Sequence, residues 1–441
     1  MNIQIVFPRI EHGVVTFQDR GSWSSIILGY PAITLPHIAA ITPKNYNVEI
    51  VDENYEDIDF DKNIDLVGIT CLTMTSPRVY KIAEEFRKRG KTVVLGGYHP
   101  TALPNEAKQH ADAVVVGEAE ITWPILLKDF ERGRLKPFYR SDKEIDMCSI
   151  PPIRRDLIKY MPIAGGIQST RGCHNRCEFC AITNFHNHGV KQRPVKQVVQ
   201  EIKQMPNRLF IFHDPSLTTD VNYSRKLFKT IIGEKIRKGW VANGNANVLA
   251  NIDEKFLELA RKSGCVEWFV GFESISQASL DGIKKNLNKV NKFEKMIKRI
   301  HDKGMAIQGG IIFGFDEDTP DIFDKTLEKM NEWGLDALEV NILTPFPGTP
   351  LFDRFEKEDR ILTKDWGRYN QVDVVFNPKN MTPKELFEGA KKVAKEFYTV
   401  PNVLKRFTCA MVTTKSLFGI LPAATNFSFR KYYKRDYDFN K

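Results

Sequence analysis

Short runs of aliphatic residues recur along the chain, and they constrain its fold more than any other feature. Five runs rich in Val and Ile lie near the amino terminus, at residues 2–7, 47–51, 65–70, 92–96 and 112–117. Helical patterns separate them, and the clearest of these ends at Gly90, a residue suited to capping a helix. Continuously apolar strands are typical of a parallel sheet covered on both faces. Residues 1–132 are therefore predicted to form a Rossmann-like, doubly wound α/β domain.

A second series of strand-like runs begins at Gly166, after residues 133–165, which contain several prolines, show little periodicity and are predicted to be a linker. The six runs are GIQST, RLFIFHD, WVANGN, VEWFVGFES, AIQGGIIFGF and ALEVNILTPF, with helical stretches between most neighbours. This order predicts a partial (βα)6 TIM-like barrel over residues 166–375. A small helical extension, basic and aromatic, is predicted over residues 376–441.

Composition and charge restrict the class of protein. Hydrophobic residues make up 42% and charged residues 27% of the chain, as in folded globular proteins. The net charge of +9 is spread over apparent helices without a dense basic run, so no nucleic-acid partner is expected. The chain starts without the pattern of a signal peptide, and no apolar stretch approaches the roughly 18 residues of a membrane span. A cytoplasmic protein is predicted, and its oligomeric state is left open.

Three of the seven cysteines lie in the segment STRGCHNRCEFCAI, directly after the first run of the second series. Cys173, Cys177 and Cys180 have C-x3-C-x2-C spacing. Three thiolates on one loop can hold three irons of a [4Fe–4S] cluster and leave the fourth iron open to an amine and a carboxylate. Structural zinc normally takes four Cys or His ligands, and a ferredoxin needs a further cysteine in its own spacing. A non-catalytic iron–sulfur or zinc protein is the alternative of another class.

The cysteine loop and the runs that follow it resemble the radical SAM superfamily, over about residues 160–350. The resemblance implies an enzyme in which Cys173, Cys177 and Cys180 ligate the cluster and S-adenosylmethionine (SAM) is cleaved to a 5′-deoxyadenosyl radical. It also implies an external one-electron reductant of the flavodoxin or ferredoxin type. The residues that the resemblance assigns to SAM include an aromatic backing the adenine and polar or glycine-containing strand ends: Phe179, His213, Asp214, Ser216, Asn243, Asn245, Glu273, Gly314 and Pro345.

The amino-terminal domain resembles the cobalamin-binding domain that precedes the barrel in one class of radical SAM enzymes, over about residues 1–130. Its matching segments are GITCLTMTS, GGYHPT and GEAE, and the contacts that they imply are Cys71, Leu72, Thr73, Thr75, Gly96, Gly97, His99, Pro100, Gly117 and Glu118. The Asp-x-His-x-x-Gly motif that supplies a histidine to cobalt in domains of the methionine synthase type is absent. The resemblance thus implies cobalamin with the Cys71–Thr75 loop below cobalt, and a sheet that has lost its cofactor is the alternative.

Together the two resemblances predict a cobalamin-dependent radical SAM methyltransferase that forms carbon–carbon bonds. A cyclase or coupling enzyme that acts on lipid alkyl chains without methyl transfer is the alternative. The carboxyl-terminal segment mixes Phe, Tyr and Leu with Lys and Arg, which suits either peripheral contact at the inner face of a membrane or packing on the barrel. A similarity to lipid-modifying members of the class makes a lipid, among small molecules, the expected substrate.

Overall fold

Two six-stranded parallel sheets, one after the other along the chain, organise the computed structural model. The structure describes residues 1–11, 33–160, 163–186, 189–285, 287–414 and 420–436. The predicted fold class, a doubly wound sheet followed by a partial barrel and a helical extension, is confirmed.

The first sheet has its first strand inside and its second at the edge, in the order β2-β1-β3-β4-β5-β6. Its strands are β1 (Asn2–Phe7), β2 (Asn47–Asp52), β3 (Leu66–Thr70), β4 (Thr92–Gly96), β5 (Ala113–Val115) and β6 (Phe138–Tyr139). The first five correspond to the five aliphatic runs. The sixth lies in the predicted linker, where two residues are too few to show a period, and it pairs with Val114 and Val115.

Helices cover both faces of this sheet and bury two separate cores. One core contains Val79 and Phe86, and the other contains Leu35, Trp123 and Leu126. The helices are α1 (Thr34–Ile41), α2 (Ser76–Lys88), α3 (Tyr98–Ala102), α4 (Pro104–Gln109) and α5 (Ala119–Glu131). Covering on both faces explains why the strands are apolar throughout.

The second sheet follows chain order from edge to edge, β7-β10-β11-β12-β13-β14, and stays open between β7 and β14 in the described residues. Its strands are β7 (Ala164–Ile167), β10 (Leu209–Phe212), β11 (Gly239–Gly244), β12 (Cys265–Glu273), β13 (Ala306–Phe313) and β14 (Ala337–Ile342). A short antiparallel pair, β8 (Thr170–Arg171) and β9 (Lys191–Gln192), stands apart from the sheet and brackets the cysteine loop.

All but the first of the helices of this half pack on the outer face of the sheet, in one large core that includes Trp240, Trp268 and Phe272, and the first contacts α3 of the amino-terminal domain. They are α6 (Ala181–Phe185), α7 (Val195–Gln204), α8 (Val221–Gly233), α9 (Ala246–Asn251), α10 (Glu254–Lys262), α11 (Gln277–Gly282), α12 (Phe293–Asp302), α13 (Ile322–Glu332), α14 (Pro350–Lys357), α15 (Pro383–Phe397), α16 (Val400–Thr414) and α17 (Ile420–Asp436).

The carboxyl-terminal extension closes the open edge at β14. The Tyr398 hydroxyl accepts a hydrogen bond from Leu338 N at 2.9 Å and donates to Leu338 O at 2.7 Å. The Tyr433 hydroxyl accepts from Val340 N at 2.7 Å. Two tyrosines thus satisfy the backbone groups that an open edge would expose. The described part of the extension therefore packs on the barrel, which is one of the two alternatives that the sequence left open.

Residues 415–419 and 437–441, which belong to the predicted membrane-contacting tail, lie outside the described residues. Among the helices that the structure describes, none has the length and apolar character that a membrane crossing requires.

Candidate functional site

The three cysteines share one loop between β8 and α6. Cys173 and Cys177 are buried and Cys180 is half-buried, with Cys180 N donating to Cys177 O at 3.2 Å. Gly172 starts the loop at φ +78°, where a Cβ atom would collide with the carbonyl oxygen of Gly189. Glycine at this position allows the loop to turn back on itself against Gly189.

Burial keeps two of these thiols in the protonated form when no metal is bound. Burial raises the pKa of Cys173, and it raises the pKa of Cys177 to about 12 even though the Lys285 ammonium acts in the opposite direction. Cluster binding therefore has to displace protons from Cys173 and Cys177. The three thiols lie near enough to influence one another's pKa, and three cysteines on one loop are the ligand set of a [4Fe–4S] cluster with one iron left open.

Polar contacts hold the cysteine loop against the barrel. Arg354 of α14 bridges the Glu178 carboxylate, at 2.7 Å, and the Asp316 carboxylate, also at 2.7 Å. On the other side, Asn175 donates from Nδ2 to Asn245 Oδ1 at 3.3 Å. Sequence reasoning missed Arg354 because its partner Glu178 is 176 positions away. Asn245, which the sequence assigned to SAM, lies at the loop.

A half-buried ion pair lies beside the cysteines. Glu273 ends β12 at φ +65°, unusual for a residue with a side chain, and its carboxylate pairs with the Lys285 ammonium. Burial alone would lower the pKa of Lys285, but Glu273 and the sulfur of Cys177 outweigh it and raise the pKa. Strained backbone of this kind persists where surrounding structure enforces it. Glu273 was predicted as a SAM contact, whereas Lys285 was missed and has no local pattern to reveal it.

The predicted residues at the end of β10 face the backbone next to the cysteine loop. Asp214 is fully buried and accepts from Ser169 N at 2.7 Å, and burial raises its pKa to about 6. Asn243 donates from Nδ2 to Asp214 O at 2.9 Å, and Ser216 lies 3.1 Å from Thr218, hydroxyl to hydroxyl. These side chains fix strand ends to one another, and their contact with SAM stays a prediction.

The remaining SAM assignments are spread around the loop. His213 packs against Gly166, where a Cβ atom would lie 2.8 Å from its Nε2, and burial lowers the pKa of His213 to about 3, so the ring is neutral. The ring centroid of Phe179 is 6.3 Å from that of Phe315. Gly314 has φ +104° and Pro345 is buried. Phe179 is thus the assigned aromatic that sits on the loop itself.

A cavity of about 270 Å³ opens at the carboxyl edge of the first sheet, facing β7 and β8. Gly68, Gly96, Gly97 and Gly117 line it. At Gly97, which has φ +108°, a Cβ atom would lie 2.7 Å from Cys71 O. Glycines at strand ends let a large planar ligand approach the backbone at the switch point of a doubly wound sheet. This cradle fits a corrin ring.

The ten residues predicted to contact cobalamin divide into two equal groups. Those that line the cavity are Leu72, Gly96, Gly97, Gly117 and Glu118, and those that do not are Cys71, Thr73, Thr75, His99 and Pro100. The His99 side chain is fully buried and turns away, with Nε2 3.1 Å from the Tyr80 hydroxyl and 3.2 Å from Glu106 Oε1. The whole set remains a prediction of contacts, but only the first group borders the space.

A cluster of charges forms the wall between this cavity and the cysteine loop. Arg171, two positions before Cys173, pairs with Glu118 at 3.0 Å and with Glu120. Glu118 also pairs with Lys191 at 2.6 Å, and Glu120 with His37 at 2.7 Å. Sequence reasoning identified Glu118 but missed its cations, which lie on other segments of the chain.

Family models match both halves of the chain. A B12 binding domain matches residues 29–127, the radical SAM superfamily matches residues 167–351, and a domain of unknown function, DUF4070, matches residues 349–419. The resemblances predicted for the amino-terminal domain and for the cysteine loop with its barrel are confirmed.

Relatives of known name extend these matches over nearly the whole chain. Bacteriochlorophyllide d C-12(1)-methyltransferase of Chlorobaculum tepidum is 29% identical, over 91% of this chain and 92% of its own. Hopanoid C-2 methylase of Rhodopseudomonas palustris is 26% identical, over 85% of this chain and 73% of its own. The radical SAM methyltransferase TsrM of Kitasatospora setae, solved with cobalamin and a [4Fe–4S] cluster, superposes with a TM-score of 0.70 at 16% identity, over 98% of this chain and 99% of its own. The last comparison shows a shared fold.

Proposed function

The chain belongs to the cobalamin-binding class of radical SAM enzymes, and on that premise we propose that it transfers a methyl group to an unactivated carbon of a small molecule. The observation that carries the proposal is adjacency: Arg171 lines the glycine-rich cavity, and Cys173 follows on the same loop. A methyl donor and a radical source must act on one substrate carbon, so their sites have to share a boundary. Relatives named for methyl transfer support methylation, and relatives named as magnesium-protoporphyrin IX monomethyl ester cyclases keep ring closure as the alternative.

When bound, the cluster supplies an electron, SAM a 5′-deoxyadenosyl radical and cobalamin a methyl group. The chain's residues hold and shield these groups. Cys173, Cys177 and Cys180 would hold the cluster. Lys285, which pairs with Glu273 beside the loop, is a cation that the carboxylate of SAM would share with Glu273. Burial of Cys173 and Cys177 keeps water from that part of the cysteine loop, which a carbon radical requires.

We propose that a flavodoxin or ferredoxin type of protein delivers the electron. Cys180 is the one partly exposed cysteine of the three, so the loop presents that side to solvent. A docking protein would approach the cluster there.

Anaerobic reconstitution with iron, sulfide, cobalamin and SAM tests the function. We expect four irons and four sulfides per chain, and the appearance of S-adenosylhomocysteine together with 5′-deoxyadenosine during turnover. Comparing metabolite masses between the host and a strain lacking the gene should reveal a product heavier by one methylene. A product lighter by two hydrogens, with 5′-deoxyadenosine alone, would instead support the cyclase alternative. A single tightly held zinc would support the non-catalytic alternative.

A lipid substrate is the second candidate, favoured by an apolar stripe on the exposed side of α16. Val400, Leu404 and Val412 are 48%, 52% and 71% exposed, and Phe427 of α17 is 51% exposed. Residues four apart lie on one face of a helix, so Val400 and Leu404 can enter a bilayer surface together. Cosedimentation with anionic vesicles, compared with an L404K variant, tests this contact: loss of binding in the variant supports it, and equal binding contradicts it.

A further inference from the structure

The segment that follows α11 carries exposed cations around an exposed apolar side chain. We call Lys284, Leu287, Lys289 and Lys292 the lysine patch. Leu287 is 65% exposed, and the three lysines are exposed as well. Within the part of the chain that the structure describes, none of the three lysines forms an ion pair, whereas Lys285 between them does. The patch therefore presents uncompensated positive charge together with an apolar contact point.

The lysine patch adjoins the cysteine loop through Lys285. Lys284 points to solvent, but the next side chain is only 12% exposed and pairs with Glu273. Cys177 and Cys180 both raise the pKa of Lys285, so its ammonium lies close to the cysteine loop. One lysine side chain therefore reaches from the backbone of the patch to the cluster ligands.

A second connection runs from the other end of the patch. Lys292 donates from Nζ to Asn251 Oδ1 at 2.6 Å, at the end of α9. Asn245, which precedes α9, accepts from Asn175 of the cysteine loop at 3.3 Å. A helix of six residues is about 9 Å long, so one short helix joins the patch to the loop. Arg176, the next residue of the loop, is exposed and adds a further positive charge there.

We propose that an acidic one-electron carrier protein docks on the lysine patch. The inference rests on the proposed function, because it assigns the surface on which the reductant of that cluster binds. One electron leaves the reduced carrier and enters the cluster, and no bond forms or breaks. The patch and the net charge of +9 attract an acidic protein, and Leu287 gives it an apolar contact. Complexes between electron-transfer proteins are small and transient, so a patch of this size suffices.

A comparison of two reductants tests the surface. The reconstituted enzyme receives electrons from a flavodoxin in its hydroquinone form or from dithionite, which needs no docking surface, and 5′-deoxyadenosine formation is measured at low salt. We expect the K284E/K289E variant to lose about tenfold in rate with subsaturating flavodoxin and to keep the native rate with dithionite. Added salt should lower the native rate with flavodoxin alone. The K284R/K289R variant keeps both charges and should behave as the native chain does.

The control for net charge is K81E/K88E. Lys81 and Lys88 are exposed on α2 of the amino-terminal domain, and their reversal changes the net charge of the chain by the same amount. Both rates should stay close to native in this variant. L287S provides a second variant of the patch should K284E/K289E fail to fold, and it should weaken the response to flavodoxin without changing its dependence on salt.

Calorimetric titration of oxidised flavodoxin into the reconstituted enzyme measures docking without turnover. Weaker binding to K284E/K289E than to the native chain and to K81E/K88E supports the proposal. Equal binding to all three, or an equal loss of rate with dithionite in K284E/K289E, contradicts it. A native chain that forms no 5′-deoxyadenosine with dithionite would overturn the proposed function instead, and the titration would still report on the patch.

Discussion

Buried carboxylates behave in opposite ways in the two halves of the molecule. At the carboxyl edge of the first sheet, burial would raise the pKa of Glu118 and Glu120. Hydrogen bonds and charges from His186, Lys191 and Arg171 instead lower the pKa of Glu118 to about 2, and those from His37 and Arg171 lower that of Glu120 to about 2. In the barrel, burial raises the pKa of Glu267 to about 8 and of Glu339 to about 7. Burial raises the pKa of all four carboxylates, so the cations beside Glu118 and Glu120 account for the opposite outcomes.

The two groups of carboxylates differ in whether the chain supplies their charge partners. At the boundary between the two domains it does, and for Glu267 and Glu339 in the barrel it does not. The cations that neutralise Glu118 and Glu120 include Arg171 and Lys191, so the paired charges join the amino-terminal domain to the segment bearing the cysteines. Glu267 and Glu339 of the barrel have no such partner in the described residues. Paired charges suit a fixed boundary between cofactor sites, and unpaired ones suit a site that receives a ligand.

The substitution with the largest expected effect should abolish the cluster of the barrel and leave cobalamin binding by the amino-terminal domain intact. We expect Cys177→Ala to abolish cluster assembly and 5′-deoxyadenosine formation, because two thiolates cannot hold the open-iron cluster. The cavity of the first sheet contains none of the three cysteines, so cobalamin binding should persist. Iron analysis, electron paramagnetic resonance and cobalamin absorbance measure these properties. Cys409→Ala, at an exposed cysteine, is the control; retained SAM cleavage in Cys177→Ala would contradict the assignment.

Glu120→Gln tests the boundary between the halves. Glu120 pairs with buried Arg171, and removing one partner of a buried pair costs about 3 kcal/mol. The low folded pKa means that this carboxylate stabilises the native chain above its unfolded pKa, and the contribution is lost as pH falls from about 4.5 towards about 2. Denaturation at several pH values should show a less stable variant at pH 7 and a smaller loss in acid. Glu144→Gln, at an exposed position, should change neither.

Gly97→Ala tests the cavity alone. The positive φ of Gly97 costs a non-glycine residue about 1–3 kcal/mol, and the added methyl group would crowd Cys71 O. We expect weaker cobalamin binding with the cluster retained. Gly133→Ala is the matched control, because Gly133 has φ +65° and open space around its Cα. Equal loss of cobalamin in both variants would mean that strain, and not the cradle, is responsible.

The sequence predicted the features that repeat locally. Aliphatic runs revealed the first five strands of one sheet and the order of the other, because burial on both faces leaves a continuous apolar signal. The spacing of Cys173, Cys177 and Cys180 is likewise local. Strand β6 was not predicted, because two residues are too few to show a period.

Residues paired across the fold could not be predicted in the same way. The cations of Glu118 and the Arg354 that holds Glu178 come from distant segments, and no pattern near either carboxylate announces them. His99 illustrates the converse. It follows the glycines of the cavity in sequence, yet α3 carries its side chain away from the cavity to Tyr80 and Glu106. A residue that is close to a site in sequence does not have to lie at it when a helix begins in between, because a helix directs successive side chains to different sides.

The smallest expected effect concerns Glu267, whose titration should oppose that of Glu120. Its folded pKa, about 8, lies above the unfolded value, so the native chain binds the proton more tightly. The stability from this group is complete below about 4.5 and is lost as pH rises through about 8. Glu267→Gln removes the titration, so the variant should lose less stability than the native chain between pH 6 and 9, by at most about 1.4 kcal/mol per pH unit. Thermal unfolding across that range measures the difference.

Asp336 is the charge that faces Glu267 and raises its pKa further. An identical pH profile in the variant would therefore mean that a cation pairs with the Glu267 carboxylate or that water solvates it. The contrast between the paired acids of the boundary and the unpaired acids of the barrel would then rest on Glu339 alone.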